Sequence, residues 1–346
     1  MLASSMNELE RTAVQLWEAK RLAEHEDVAH GRLALLLLDN AAEISLMRSA
    51  TSRMRFAEIY GDMAYMLRDF EPEDVEGQYI KQRIEEGRVS KRRRTQVERN
   101  FDSLVDFVFE QQDLGLAAEF ADCLKILHRY RNAAYHRDTV RADVLASAVQ
   151  IYFFLCCYLM KNERSMVHEI SNVPAAVREI LGEKSLVGTW PDGGFDTNAL
   201  ANLVADRFLA DLRLDHGRIA RALSEHLLAR LAEVDRDLTT IGENIPPGVN
   251  RGVALRLVQL APLDRHGLEA EPPRNFWTQP LAVTEEILDT WIVTATEMRN
   301  VKGALDALRS FSDIEQPLET LEVPVARFIE ELDRTEQQKI DEYRGN

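Results

Sequence analysis

Apolar residues recur at helical spacing along nearly the whole chain, and the alternating pattern of strands is hard to find. The pattern predicts a leading helix at about 6–27 and a strongly apolar second one at about 29–54. A third is predicted at about 92–112, with Phe101, Leu104, Val105, Val108 and Phe109 on one face, and a fourth at about 114–131. The fifth starts near Asp138 or Thr139, both suited to cap a helix, and runs through "VRADVLASAVQIYFFLCCYLM". The polar stretch 69–80 reads as a connection between the second and third helices.

Texture changes after about residue 170. "GTWPDGGFDTN" is rich in glycine and reads as a linker at about 186–197. A long amphipathic pattern follows at about 197–241, with a break at "LDHG", and helices at about 281–309 and 317–341 close the chain. The expectation is an all-α protein: a helical bundle over 1–170, including an extra N-terminal helix, then a mostly helical domain over 171–346.

The 346 residues, 45% of them hydrophobic and 29% charged, suit a water-soluble chain with a sizeable core. The apolar run "IYFFLCCYLM" is short for a bilayer and reads as a buried helix, so no membrane partner is expected. No basic stretch followed by an apolar one opens the chain. Cys123, Cys156 and Cys157 lack zinc-ligand spacing and read as reduced core thiols, which predicts a cytoplasmic protein. A net charge of −16 argues against a general nucleic-acid coat and leaves room for a local basic site.

That positive charge is uneven. "LHRYRNAAYHRDTV", residues 127–140, places Arg131, Asn132 and His136 between two apolar helices. An arginine and a histidine five apart are weak evidence, since about one such pair arises by chance in a chain of this length. Arg221 and His226 have the same spacing inside a regular amphipathic helix, with Ala222 where the first pair has Asn132. The polar residue after the arginine and the helix boundary set the first pair apart. If the segment is helical, Asn132 and His136 share a face.

Asp39, Asn40 and Glu43 interrupt the apolar second helix. Two readings stand: they form its solvent side, or they contact Arg131 or His136 and fix their orientation. A carboxylate beside an imidazole would raise its pKa. Lys91, Arg92, Arg93 and Arg94 crowd a helix start, where cations are disfavoured. They read either as a solvated face or as a track for an RNA backbone, extended by His128 and Arg129. The second half offers neither metal-ligand spacing nor a phosphate-binding glycine loop.

"RNAAYH" before an apolar helix resembles the R-polar-x-x-x-H signature of the HEPN superfamily. "LLLLDNAAEISLMR" resembles its first core helix, and "RRTQVERNFDSLVDFVFE" a helix packed between. The resemblance covers about 29–165. It implies a compact helical bundle, often dimeric, and in many members a metal-independent endoribonuclease without cofactor. It assigns catalysis to Arg131, Asn132 and His136, paired across a homodimer, with RNA as substrate. It also implies a bacterial toxin or phage-defence effector, with a regulatory protein or antitoxin as partner; other members are non-catalytic scaffolds. Some family toxins carry a tyrosine two residues after the histidine, where this chain has Asp138, so the resemblance does not extend to regulation at that position.

Overall fold

In the computed structural model the described residues are 2–66, 75–86, 88–110, 118–136, 141–162, 169–170, 172–182, 195–212, 214–245, 248–261 and 274–345. The protein is all-α, apart, among the described residues, from one two-residue antiparallel pair in which Glu169 and Ile170 face Asp196 and Phe195. It divides into two compact units, Met1–Leu214 and Asp215–Asn346. The division therefore falls well beyond residue 170, because the two helices after the texture change pack with the first unit.

In the first unit, α1 (Leu2–Ala23) and α2 (Val28–Met66) form a hairpin. Then come α3 (Val75–Glu86), α4 (Lys91–Arg99), α5 (Phe101–Phe109), α6 (Ala118–His136) and α7 (Ala142–Asn162). The unit closes with α8 (Ala175–Leu181) and α9 (Thr197–Asp211). Helix α3 replaces part of the connection expected at 69–80. The remainder of that connection, most of the linker at 186–197 and the caps expected at Asp138 and Thr139 lie outside the described residues.

Helix α7 is the core element. Its length and hydropathy would suffice to cross a membrane, but most of its residues are buried. Val144, Ile151, Tyr152, Leu155 and Cys156 are all shielded by neighbouring helices, and α1, α2, α6 and α9 pack around it. Burial of this much apolar surface, at roughly 25 cal/mol per Å², is the main force assembling the unit. Gly31 lets α2 approach α7 closely, since a Cβ there would meet Leu145 Cδ2 at 2.8 Å. Cys156 donates from its thiol to the Leu38 carbonyl oxygen at 3.3 Å, and burial pushes that thiol well above its ordinary pKa. It is a packing group with no thiolate character.

The helix expected over 92–112 is two helices. Asn100 leaves the helical region with φ −133° and ψ 120°, and its side chain accepts from the Ser103 backbone N–H at 2.7 Å. It is the C-cap of α4 and the N-cap of α5 at once. Asparagine competes well for the backbone at such a position, which is why the amphipathic pattern runs on while the chain turns.

The second unit contains α10 (His216–Asn244), α11 (Arg251–Leu260), α12 (Glu285–Glu297), a 3-10 turn at Met298–Asn300, and α13 (Ala304–Gly345). The break expected at "LDHG" is present, with Asp215 capping α10 by accepting from the Arg218 N–H at 2.9 Å. The break expected between 309 and 317 falls earlier, at 298–303, and Pro317 and Pro324 lie within α13. Helices α10 and α13 pack together and are joined by Arg230, which donates to Glu322 at 2.8 and 2.7 Å and to Glu315 at 3.3 Å.

Candidate functional site

Two helices, α6 and α7, bring polar side chains to one carboxylate on a third, α2. Asp39 lies on α2 with only 1% of its surface exposed. An ionised carboxylate there needs partners, because burial without them costs several kcal/mol or forces protonation. Asp39 has four. Its Oδ1 accepts from Tyr152 Oη on α7 at 2.7 Å and faces His128 Nδ1 on α6 at 2.8 Å. Its Oδ2 accepts from Arg131 Nε at 2.8 Å and again from Arg131 Nη2. A carboxylate offers about four lone-pair sites, and here each has a donor.

The balance of these effects sets the charge of the group. Burial pushes Asp39 upward, but hydrogen bonds from His128, Tyr152 and Arg131 outweigh it and hold the carboxyl below its ordinary 3.8. Burial, and then the neighbouring Asp39 charge, push the Tyr152 phenol well above its ordinary value, so it stays a donor. Since an ionised carboxylate cannot donate, the Asp39 contact places the imidazole proton of His128 on Nδ1. When the ring is neutral, Nε2 is left as its basic nitrogen. Phe101, the first residue of α5, stacks on that ring with centroids 4.0 Å apart and planes 6° apart.

Arg131 is one turn beyond His128 on α6, with 26% of its side chain exposed. Its Nη1 donates to Asn132 Oδ1 at 2.6 Å. Of the five N–H donors of a guanidinium, these contacts occupy three, which leaves one hydrogen on each terminal nitrogen. Those two hydrogens suit a pair of phosphate oxygens. Asn132 is exposed beside them.

His136 is the final residue of α6, one turn after Asn132. Its side chain lies outside the described residues. The helix thus continues past residue 131, where its end was expected, and carries Arg131, Asn132 and His136 together in its last two turns.

The remaining expected site residues separate. Asn40 and Glu43 are exposed, and no contact of theirs with the Asp39 cluster is among the described interactions. The buried stripe of α2 runs through Leu35, Leu38, Ala42 and Leu46, and Glu43 falls just past its edge although it is one turn from Asp39. His128, expected as a phosphate contact, turns inward onto Asp39. Arg129 is exposed on α6.

At the start of α4, Ser90 caps the helix by accepting from the Arg93 N–H at 3.2 Å. Arg93 pairs with Glu110 and Arg94 with Glu58, whereas Lys91 and Arg92 are exposed. A groove of about 280 Å³ beside them is lined by Arg92 and Arg93 but also by Asp106 and Glu110. Its charge is mixed, and two of the four cations already have carboxylate partners.

Tyr152 carries no signal in the sequence beyond its own oddity, a phenol inside "IYFFLCC". A buried tyrosine hydroxyl needs a partner, which is the one clue that a polar group lies opposite. In comparisons with known proteins, no family model, no curated protein and no solved structure matches the chain.

Proposed function

We propose that the first unit is a metal-independent endoribonuclease of the HEPN type, acting in the cytoplasm as a homodimer. The observation that carries this reading is the fixing of Arg131 by buried Asp39, which holds a partly exposed guanidinium with two N–H donors unused among the described residues. RNA brings its own nucleophile, the 2′-hydroxyl. A base takes that proton, the oxygen attacks the adjacent phosphorus, and the 5′-oxygen leaves with a proton from an acid, giving a cyclic phosphate end.

In this reading Arg131 neutralises the charge that builds on the phosphate oxygens. Histidine suits the proton transfers because it ordinarily titrates near neutrality. The family resemblance gives that role to His136, supplied in two copies by the dimer. The Asp39–His128 pair supports His128 as a second acid–base group, since its proton is placed on Nδ1 and Nε2 remains for chemistry. Asn132 orients Arg131. Lys91, Arg92 and Arg129 serve as contacts for the RNA backbone, and a toxin or phage-defence role with a regulatory protein or antitoxin follows from the family alone.

A second reading is a non-catalytic HEPN-like scaffold. It is favoured by the exposed apolar side chains of the last part of α2 and of α3, among them Phe56, Ile59, Met66 and Tyr79, which suit a protein partner.

One assay separates the two. Purified protein, His136→Ala and His128→Ala are incubated with labelled RNA in EDTA, and the products are examined for cyclic phosphate ends. Cleavage by the wild type that is lost in His136→Ala supports the nuclease. Equal cleavage by the wild type and His136→Ala removes His136 from the mechanism. No cleavage by the wild type favours the scaffold.

A further inference from the structure

A second cluster of chemistry-bearing side chains lies where α1 passes into α2, in "HEDVAH", residues 25–30. Among the described residues, His25, Asp27 and His30 form the one group of three metal-capable side chains whose ligand atoms all lie within 4.8 Å of one another. We propose that they bind a divalent transition-metal ion of the zinc class.

The local backbone builds this arrangement. The His25 N–H donates to the Leu22 carbonyl at 3.2 Å as α1 ends, and Glu26 then adopts φ 54°. A positive φ is uncommon for a residue with a Cβ, and here it folds the chain back so that His25 faces the first turn of α2. Asp27 caps that helix: its Oδ1 accepts from the His30 N–H at 2.9 Å. The cap fixes the carboxylate and leaves Oδ2 facing His30 Nδ1 at 2.6 Å. The His25 ring lies on the His30 ring, centroids 4.0 Å apart and planes 16° apart.

Two imidazoles and one carboxylate are a zinc donor set, with water completing the tetrahedron. The imidazoles select against calcium and magnesium, which prefer oxygen ligands. Two atoms each about 2 Å from a tetrahedral ion stand about 3.3 Å apart. The hydrogen-bonded Nδ1 and Oδ2 are closer than that, and their side chains are partly exposed and have room to part. A helix N-terminus disfavours a cation, and Asp27 supplies the negative charge that offsets it.

The site lies well away from the candidate nuclease centre. His30 and Asp39 are nine residues apart on α2, about 13 Å of helix rise. The ion would clip the α1–α2 hairpin without entering a reaction, so its presence is independent of the proposed activity.

The test uses EDTA-stripped full-length protein titrated with zinc in a calorimeter, and with cobalt to read tetrahedral coordination by visible absorption. Wild type should bind one ion per chain and gain thermal stability from it. His25→Ala and His30→Ala should each lose binding while keeping the metal-free unfolding midpoint. Asp27→Asn retains a good capping residue and removes the charge, so weakened binding there with the helix intact isolates coordination from capping. Absence of saturable binding by the wild type, or binding unchanged in both histidine variants, would overturn the proposal.

Discussion

The phenol of Tyr152 donates to the carboxylate of Asp39 at 2.7 Å, across 113 residues of chain and between two packed core helices. This contact is shielded from solvent on both sides, so it strengthens and also constrains the carboxylate that orients Arg131.

Tyr152→Phe keeps the ring and deletes the donor. A hydrogen bond to a charged group contributes about 1.5–3 kcal/mol, and loss of that order is expected in urea unfolding of the first unit. The Asp39 pKa should rise toward its unfolded value at the same time, read as a shallower loss of stability on acidification.

Acid should weaken the first unit through Asp39. A carboxyl depressed in the folded state favours folding above its unfolded pKa, and that contribution is lost as pH falls through the folded value. The direction is downward from 3.8, so the window is acid, below about pH 4. Asp39→Asn should flatten the stability–pH curve in that window. At neutral pH it should cost on the order of 3 kcal/mol, because the buried side of Arg131 then lacks its counter-charge. Unfolding followed by circular dichroism at several pH values measures both.

Arg131→Lys keeps the charge and removes the planar fork. Lysine cannot reach Asp39 with two donors and a phosphate with two more. RNA cleavage should fall at least about tenfold, equivalent to about 1.4 kcal/mol of transition-state stabilisation. Retention of full activity would leave the fork without a role.

In the second unit, Arg230 should behave as a staple. Its guanidinium, 12% exposed, bridges Glu315 and Glu322 on the facing helix. Arg230→Ala takes this guanidinium away from two partly buried carboxylates and should cost on the order of 3 kcal/mol in thermal unfolding. Adding Glu322→Gln should recover part of that loss.

Much of the helical architecture was legible in the sequence because it follows from periodicity. The break at Asp215 was visible as a glycine-marked interruption, and the structure supplies the cap. The break at Asn100 was not, since the apolar positions keep their spacing on both sides and only one side chain diverts the backbone. The end of the first compact unit leaves no local mark for a related reason. The glycine-rich stretch after 170 looks like a linker, but the helices around it bury apolar faces against α1 and α7, and such long-range contacts leave no local mark.

The candidate site was legible in part. Arg131 and Asn132 were marked by an unusual polar grouping, and Asp39 by its place in an apolar helix. Whether Asp39 faced water or the bundle depended on what α6 and α7 set opposite it. Glu43 shows the limit of spacing arguments: one helical turn from a buried residue can still be solvent when that residue sits at the edge of the buried stripe. His128 was read with its basic neighbours, although its partner lies 89 positions earlier.

The turn at Asn100 has an effect beyond the helices it separates. It makes Phe101 the opening residue of α5, and that ring covers the His128 imidazole. The cover over the His128 ring therefore rests on the capping preference of one exposed asparagine, a local choice worth about 1 kcal/mol. Weakening that preference would leave every group around Asp39 in place and loosen the lid on one of them. The chain can thus tune the cluster from its surface, at a residue that never touches it.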